Sequence, residues 1–135
     1  MVLRRGTSEV PEIPRGFKGS ERVLAAIVYV ALKRAGYNAL FLSSKIPPGL
    51  CIGLSGSTLV IGNINDPAAF RMNDAHRCAE KLNAELNKGW SVAGSKNLAT
   101  VRQGRTEIGH VLYCEITVRR PNTLRLEALR RHFLK

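Results

Sequence analysis

The sequence predicts a single α+β domain, and three observations carry that reading. Apolar residues recur at helical spacing in three separate stretches. Five further runs have strand character, either alternating or continuously apolar over a few residues. Gly, Pro, Asn and Ser clusters separate these segments. The implied order is α-β-β-β-α-β-β-α, with a five-stranded, mainly antiparallel sheet and its helices mostly on one face. At 135 residues the chain is long enough to bury a core without disulfides or metal staples, and its 44% apolar content is that of a globule and not of a disordered chain.

Residues 1–19 mix Pro11, Pro14, Gly6, Gly16 and Gly19 with Arg4, Arg5, Arg15 and Lys18. They read as a flexible or loosely docked basic arm, and residues 20–135 as the domain. Ser20 offers a helix N-cap, Glu21 suits the positive end of the helix dipole, and Gly36 offers the stop. Between them Val23, Leu24, Ile27, Val30 and Ala31 make a broad apolar face that Val28 and Leu32 widen, leaving Arg22, Tyr29 and Lys33 as the polar side. A helix so apolar is buried around most of its circumference, under the sheet or against a second copy in a homodimer.

The runs "ALFL" (39–42), "LCIGL" (50–54) and "TLVIG" (58–62) read as strands. "KIPPG" separates the first pair, and its Pro47 and Pro48 cannot sit inside a paired strand, so they end one. "SGS" (55–57) reads as a three-residue hairpin turn with Gly56 free to take a positive φ. Asp66-Pro67 is a good helix opening, with Asn73 as a later alternative. Ala68, Met72, Ala75, Ala79, Leu82 and Leu86 then fall on one stripe, opposite Arg77, Lys81, Glu85 and Lys88. His76, at the stripe's edge, reads as a satisfied boundary residue.

"WSVAG" and "NLATVR" supply strand character before a glycine-containing loop, and "HVLYCEITVRR" alternates clearly. Leu112, Cys114, Ile116 and Val118 point one way; Tyr113, Glu115, Thr117 and Arg119 point the other. Pro121 stops that strand, and Asn122 or Thr123 caps a final helix. In it Leu126, Leu129 and Phe133 cluster on one side, while Ala128, Arg131 and Lys135 lie opposite. The final helix is therefore expected to dock through its apolar stripe and to leave its guanidinium groups free.

The charge is what points to function. Twenty-one Lys and Arg face ten Asp and Glu, a net charge of +11, and fourteen of the cations are Arg. Such a surplus repels itself in the free protein and invites a polyanion: nucleic acid, an acidic protein surface or anionic lipid. Planar guanidinium groups match phosphate oxygens in two-point contacts, which favours nucleic acid, DNA or RNA. The candidate phosphate contacts are Arg102 and Arg105 in "RQGRTEIGH", Arg119 and Arg120 at the end of the next strand, and Arg125, Arg130 and Arg131 in the final helix. Gln103 and Gly104 offer amide donors beside them. If the two long strands form a hairpin, Arg102 falls near the same strip as Arg119. Tyr113 is a candidate for stacking on a base.

Cys51, Cys78 and Cys114 are odd in number and far apart, so they read as reduced thiols of a cytoplasmic protein, with no zinc site and no cofactor. The apolar run at 24–32 is too short for a bilayer span. "GLSGS" leads into a strand where a nucleophile elbow would lead into a helix, and His76, His110 and His132 sit on different elements without a companion motif. No enzyme is expected.

The first five elements have the order of a double-stranded RNA-binding domain, but "PAAFRMNDAHR" lacks the lysine cluster that such domains carry at the second helix. The full element order and length are similar to those of the small dimeric chaperones of bacterial type III secretion. That resemblance implies a homodimeric protein-binding module, though those chaperones are acidic and this chain is basic. Low-specificity nucleic-acid binding is the leading expectation, and a protein-binding adaptor the alternative.

Overall fold

The computed structural model describes residues 10–56, 58–86, 91–103, 105–119 and 123–134. Of the residues named above, Arg4, Arg5, Gly6, Ser57, Lys88, Gly104, Arg120, Pro121, Asn122 and Lys135 lie outside them. The first helix, α1 (Ser20–Arg34), buries Leu24, Ala25, Ala26, Ile27, Val28, Val30, Ala31 and Leu32. It packs on the second and third helices and on the first strand. Of the two coverings open to this helix, its own chain supplies the one observed.

The start of α1 differs in detail from expectation. Gly19, at φ +56°, stands at the cap position. The Lys18 backbone N–H donates to the Glu21 carboxylate at 3.1 Å, which ties down the first turn. Arg22 donates to the Pro14 and Phe17 carbonyls at 3.2 and 3.3 Å. Phe17 is only 3% exposed and meets the Phe41 ring edge-on at 5.7 Å. The last residues of the N-terminal arm are thus anchored to the core.

The strands are β1 (Ala39–Phe41), β2 (Leu50–Ser55), β3 (Thr58–Gly62), β4 (Ser91–Gln103) and β5 (Thr106–Arg119). β1, β2, β3 and β5 adjoin in that order, and β4 pairs with the far side of β5. The α+β class stands, and the sheet is mixed: β1 runs parallel to β2, a pair that the mainly antiparallel expectation did not include. The cause is the link at 42–49, which carries the chain back to the starting end of so short a strand. Pro47 and Pro48 keep that link out of the ladder. Gly49 turns it at φ +85°. The Cys51 thiol then donates to the Pro47 and Gly49 carbonyls. β2 and β3 form the expected hairpin with Gly56 at φ +63°, although Ser55 pairs with Thr58, which makes the turn one residue shorter.

The second helix, α2, spans Met72–Leu86, after a single 3-10 turn at Pro67–Ala69. The later of the two expected starts is the observed one, closed by Asp74, whose carboxylate accepts from the Arg71 backbone N–H at 3.1 Å. Its buried stripe is Ala75, Cys78, Ala79, Leu82 and Leu86. Ala68 lies outside the helix and is exposed. The third helix, α3 (Thr123–Phe133), docks on α1.

Period-two alternation sorts the sheet. Leu59, Ile61, Cys114, Ile116 and Val118 join the apolar residues of all three helices in one core. Thr58, Val60, Glu115 and Thr117, on the opposite face, are half-buried. Leu126, Leu129 and Phe133 attach α3, each contributing about 1.5–3 kcal/mol of transfer free energy. Phe133, 1% exposed, is the largest of the fully buried side chains. Phe133→Ala should therefore lower the unfolding free energy by about 3–5 kcal/mol in urea titration, with Arg131→Ala, on the exposed side of the same helix, changing it by less than about 0.5 kcal/mol.

Candidate nucleic-acid interface

Two clefts open beside the C-terminus of α1. Lys33 and Arg34 close the helix, where cations offset the negative end of its dipole. Gly36 takes φ +96°, a conformation that costs an L-residue about 1–2 kcal/mol. Its N–H donates to the Lys33 carbonyl, and the Tyr37 N–H donates back to the Leu32 carbonyl at 2.9 Å. This is the Schellman pair of bonds, and it fixes where Tyr37 leaves the helix.

Tyr37 is half-buried and held from two sides. Its hydroxyl lies beside the Cys78 thiol of α2, and the Lys81 ammonium lies 5.5 Å from its ring centroid. Arg77 stands one turn before Lys81. Around them opens a cleft of about 430 Å³ lined by Tyr37, Asn38, Asn63, Asp74, Arg77 and Lys81, among others. A second cleft of about 360 Å³ shares Tyr37, Asn38 and Leu50 and adds Tyr29, Lys33 and Leu40. Tyr29 leans on Phe41 at 5.5 Å, with the Lys33 ammonium 6.0 Å from its ring. On the other side of the α1 terminus the Arg34 guanidinium covers the Phe133 ring at 4.7 Å, one turn from Arg130 on α3. Three cations on three rings join α1, α2 and α3 into one basic, aromatic end of the molecule. Each such contact is worth about 0.5–1 kcal/mol at an exposed site.

The arginines singled out from the sequence divide between two places. Arg102 stands opposite Glu107 in the ladder at the tip of the β4–β5 hairpin, and Arg105 lies exposed in its turn. Arg119 pairs with Ser91 at the other end, twelve residues along β5 (107 to 119), a separation of about 40 Å in an extended strand. Pairing as a hairpin thus sets Arg102 and Arg119 apart. Arg119, Arg130 and Arg131 are exposed, and Arg130 pairs with Glu127 at 3.2 Å on the surface of α3, a bond worth little. Tyr113 stands opposite Asn97 in the ladder, and Arg125 belongs to α3. Arg120 lies outside the described residues.

Sequence reasoning passed over Lys33, Arg34, Tyr37, Arg77 and Lys81 as a group. Their signal was the i, i+4 spacing of Tyr29 with Lys33 and of Arg77 with Lys81, next to the glycine stop at 36. Among the described residues no cluster of His, Cys, Asp and Glu could hold a metal ion, and no helix is long and apolar enough to cross a membrane. Comparison with protein-family models, with curated protein sequences and with solved structures finds no match to this chain.

Burial pushes the Cys78 thiol up from 9.0 to about 11, against the smaller lowering effects of the Tyr37 hydrogen bond and the Lys81 charge. Desolvation also raises Tyr37 above its ordinary value, helped by the neighbouring Cys78. Both groups hold their protons more tightly folded than unfolded. Above about pH 9 the unfolded chain releases protons that the folded chain keeps, so stability must fall as pH rises toward 11. Thermal melts between pH 8 and pH 11 should show that decline, and Cys78→Ala should flatten part of it. At pH 8 in native buffer Cys78 should resist iodoacetamide, and it should react once the chain is unfolded.

Proposed function

We propose that this protein binds nucleic acid through phosphate contacts, with little reading of base sequence. The observation that carries the reading is the gathering of cations from three helices, Lys33 and Arg34, Arg77 and Lys81, Arg130 and Arg131, around the α1 terminus. All six are exposed, and none is spent on a buried carboxylate. A net charge of +11 supplies the long-range attraction, and guanidinium forks supply two-point phosphate contacts. The interleaved rings suit a chain of alternating phosphates and bases better than they suit an acidic protein surface. Arg119, at the end of β5 before α3, and Arg102 and Arg105, at the hairpin tip, would be separate contacts.

A second reading, a module for an acidic protein segment, draws on a different feature. A groove of about 650 Å³ runs between residues 11–15 and 40–48. Leu40 and Ile46, 46% and 52% exposed, are among its walls, and Arg15 and Lys45 flank it. It borders β1, at the edge of the sheet, where an extended acidic and apolar segment would find both pairing and charge complementarity.

Fluorescence anisotropy with a labelled mixed-sequence oligonucleotide distinguishes the two. Binding at about 50 mM salt should weaken steeply by 200 mM, with a log–log slope of about −0.7 to −0.9 per phosphate contacted. The double substitutions Arg77→Glu/Lys81→Glu and Arg130→Glu/Arg131→Glu should each weaken binding at least ten-fold and reduce the slope, while the thermal midpoint stays within a few degrees. An absence of binding at about 50 mM salt would overturn the nucleic-acid reading in favour of the protein segment.

A further inference from the structure

We infer that the cleft between Tyr29 and Tyr37 is a base-binding site for single-stranded nucleic acid, an inference that rests on the phosphate-binding reading above. Phosphate contacts alone do not distinguish strands from duplexes, and the denser charge of a duplex would favour it. This end of the molecule has more than cations. Two tyrosines border a cleft of about 360 Å³ whose other walls include Leu40 and Leu50, and Leu40 is 46% exposed. An apolar wall flanked by half-buried rings suits the face of a base, which a duplex keeps inside its stack.

Both rings are already positioned. Tyr29 rests on Phe41 at 5.5 Å, and Tyr37 is fixed by the Schellman turn at Gly36 and flanked by Lys81 at 5.5 Å from its ring centroid. Little conformational entropy is then lost when a base enters. Lys33 stands at one side of the cleft. Arg77 and Lys81 line the adjoining cleft of about 430 Å³, with Tyr37 as the shared wall. A strand whose base lies along Tyr37 therefore has cations on both sides for the phosphates that flank it. Asn38, which lines both clefts, offers an amide that can serve as donor or acceptor to any base edge, consistent with weak sequence preference.

The test compares a labelled twelve-nucleotide oligothymidylate with a duplex of the same length, at about 100 mM salt, on the full chain. The wild type should bind the single strand at least ten-fold more tightly. Tyr37→Leu should weaken single-strand binding by roughly ten- to a hundred-fold and abolish the preference, whereas Tyr37→Phe, which keeps the ring and loses only the hydroxyl, should retain it. Equal wild-type affinities, or a preference that survives Tyr37→Leu, would overturn the base site and leave phosphate binding standing. Binding of neither probe would overturn the underlying reading as well. Should Tyr37→Leu fail to fold, ultraviolet cross-linking of a 5-bromouracil oligonucleotide to the wild type decides the matter. Adducts on Tyr29 or Tyr37 support the site, and adducts confined to other residues reject it.

Discussion

The architecture depends on the near-complete burial of α1. A fifteen-residue helix with eight buried side chains must be covered from several directions at once. A sheet alone covers one side of a helix, so α2 and α3 close over what β1 and its neighbours leave open. Everything that follows in the chain is arranged around that requirement. The Schellman turn at Gly36 feeds β1 directly under the helix it ends, and Phe17 fills the space beside Phe41 from the N-terminal side. Among the described residues no charged side chain is drawn into the core in the process.

That economy has an electrostatic consequence. With a net charge of +11 and no buried charge among the described residues, mutual repulsion must be tolerated at the surface. Three of the cations rest on aromatic rings, which offsets a little of the repulsion and orders the long side chains. A polyanion would relieve the rest. Tyr29 and Tyr37, which steady two of these cations in the free protein, are also the rings the proposed site would offer a strand of nucleic acid, so the proposed binding and the resting structure draw on the same contacts.

The period-two and period-3.6 patterns made the helices and strands legible. Ile116 and Val118 lie inward with Cys114, and Leu126, Leu129 and Phe133 dock α3, because in each element the apolar face is set by local backbone geometry. The parallel pairing of β1 with β2 was not legible. "KIPPG" announces a break without saying in which direction the chain returns to the sheet. The cap at Gly19 was missed for a similar reason: Ser20 is the better capping residue in isolation, but the docked Phe17 imposes the turn that precedes it.

For the candidate site the division follows the distance between the residues concerned. Net charge, arginine bias, the apolar stripe of each helix and the glycine stop at 36 are properties of the linear chain, and composition and spacing alone determined them. Which cations become neighbours depends on how separate elements pack. Arg102 and Arg119 were candidates for one strip until the β4–β5 register set them at opposite ends of a long hairpin. Lys33 and Lys81, forty-eight positions apart (33 to 81), meet on the two sides of Tyr37 only because α1 and α2 share one core. Side-chain periodicity is written residue by residue, whereas proximity between elements is settled by which buried surfaces fit together, and that was for the tertiary structure to decide.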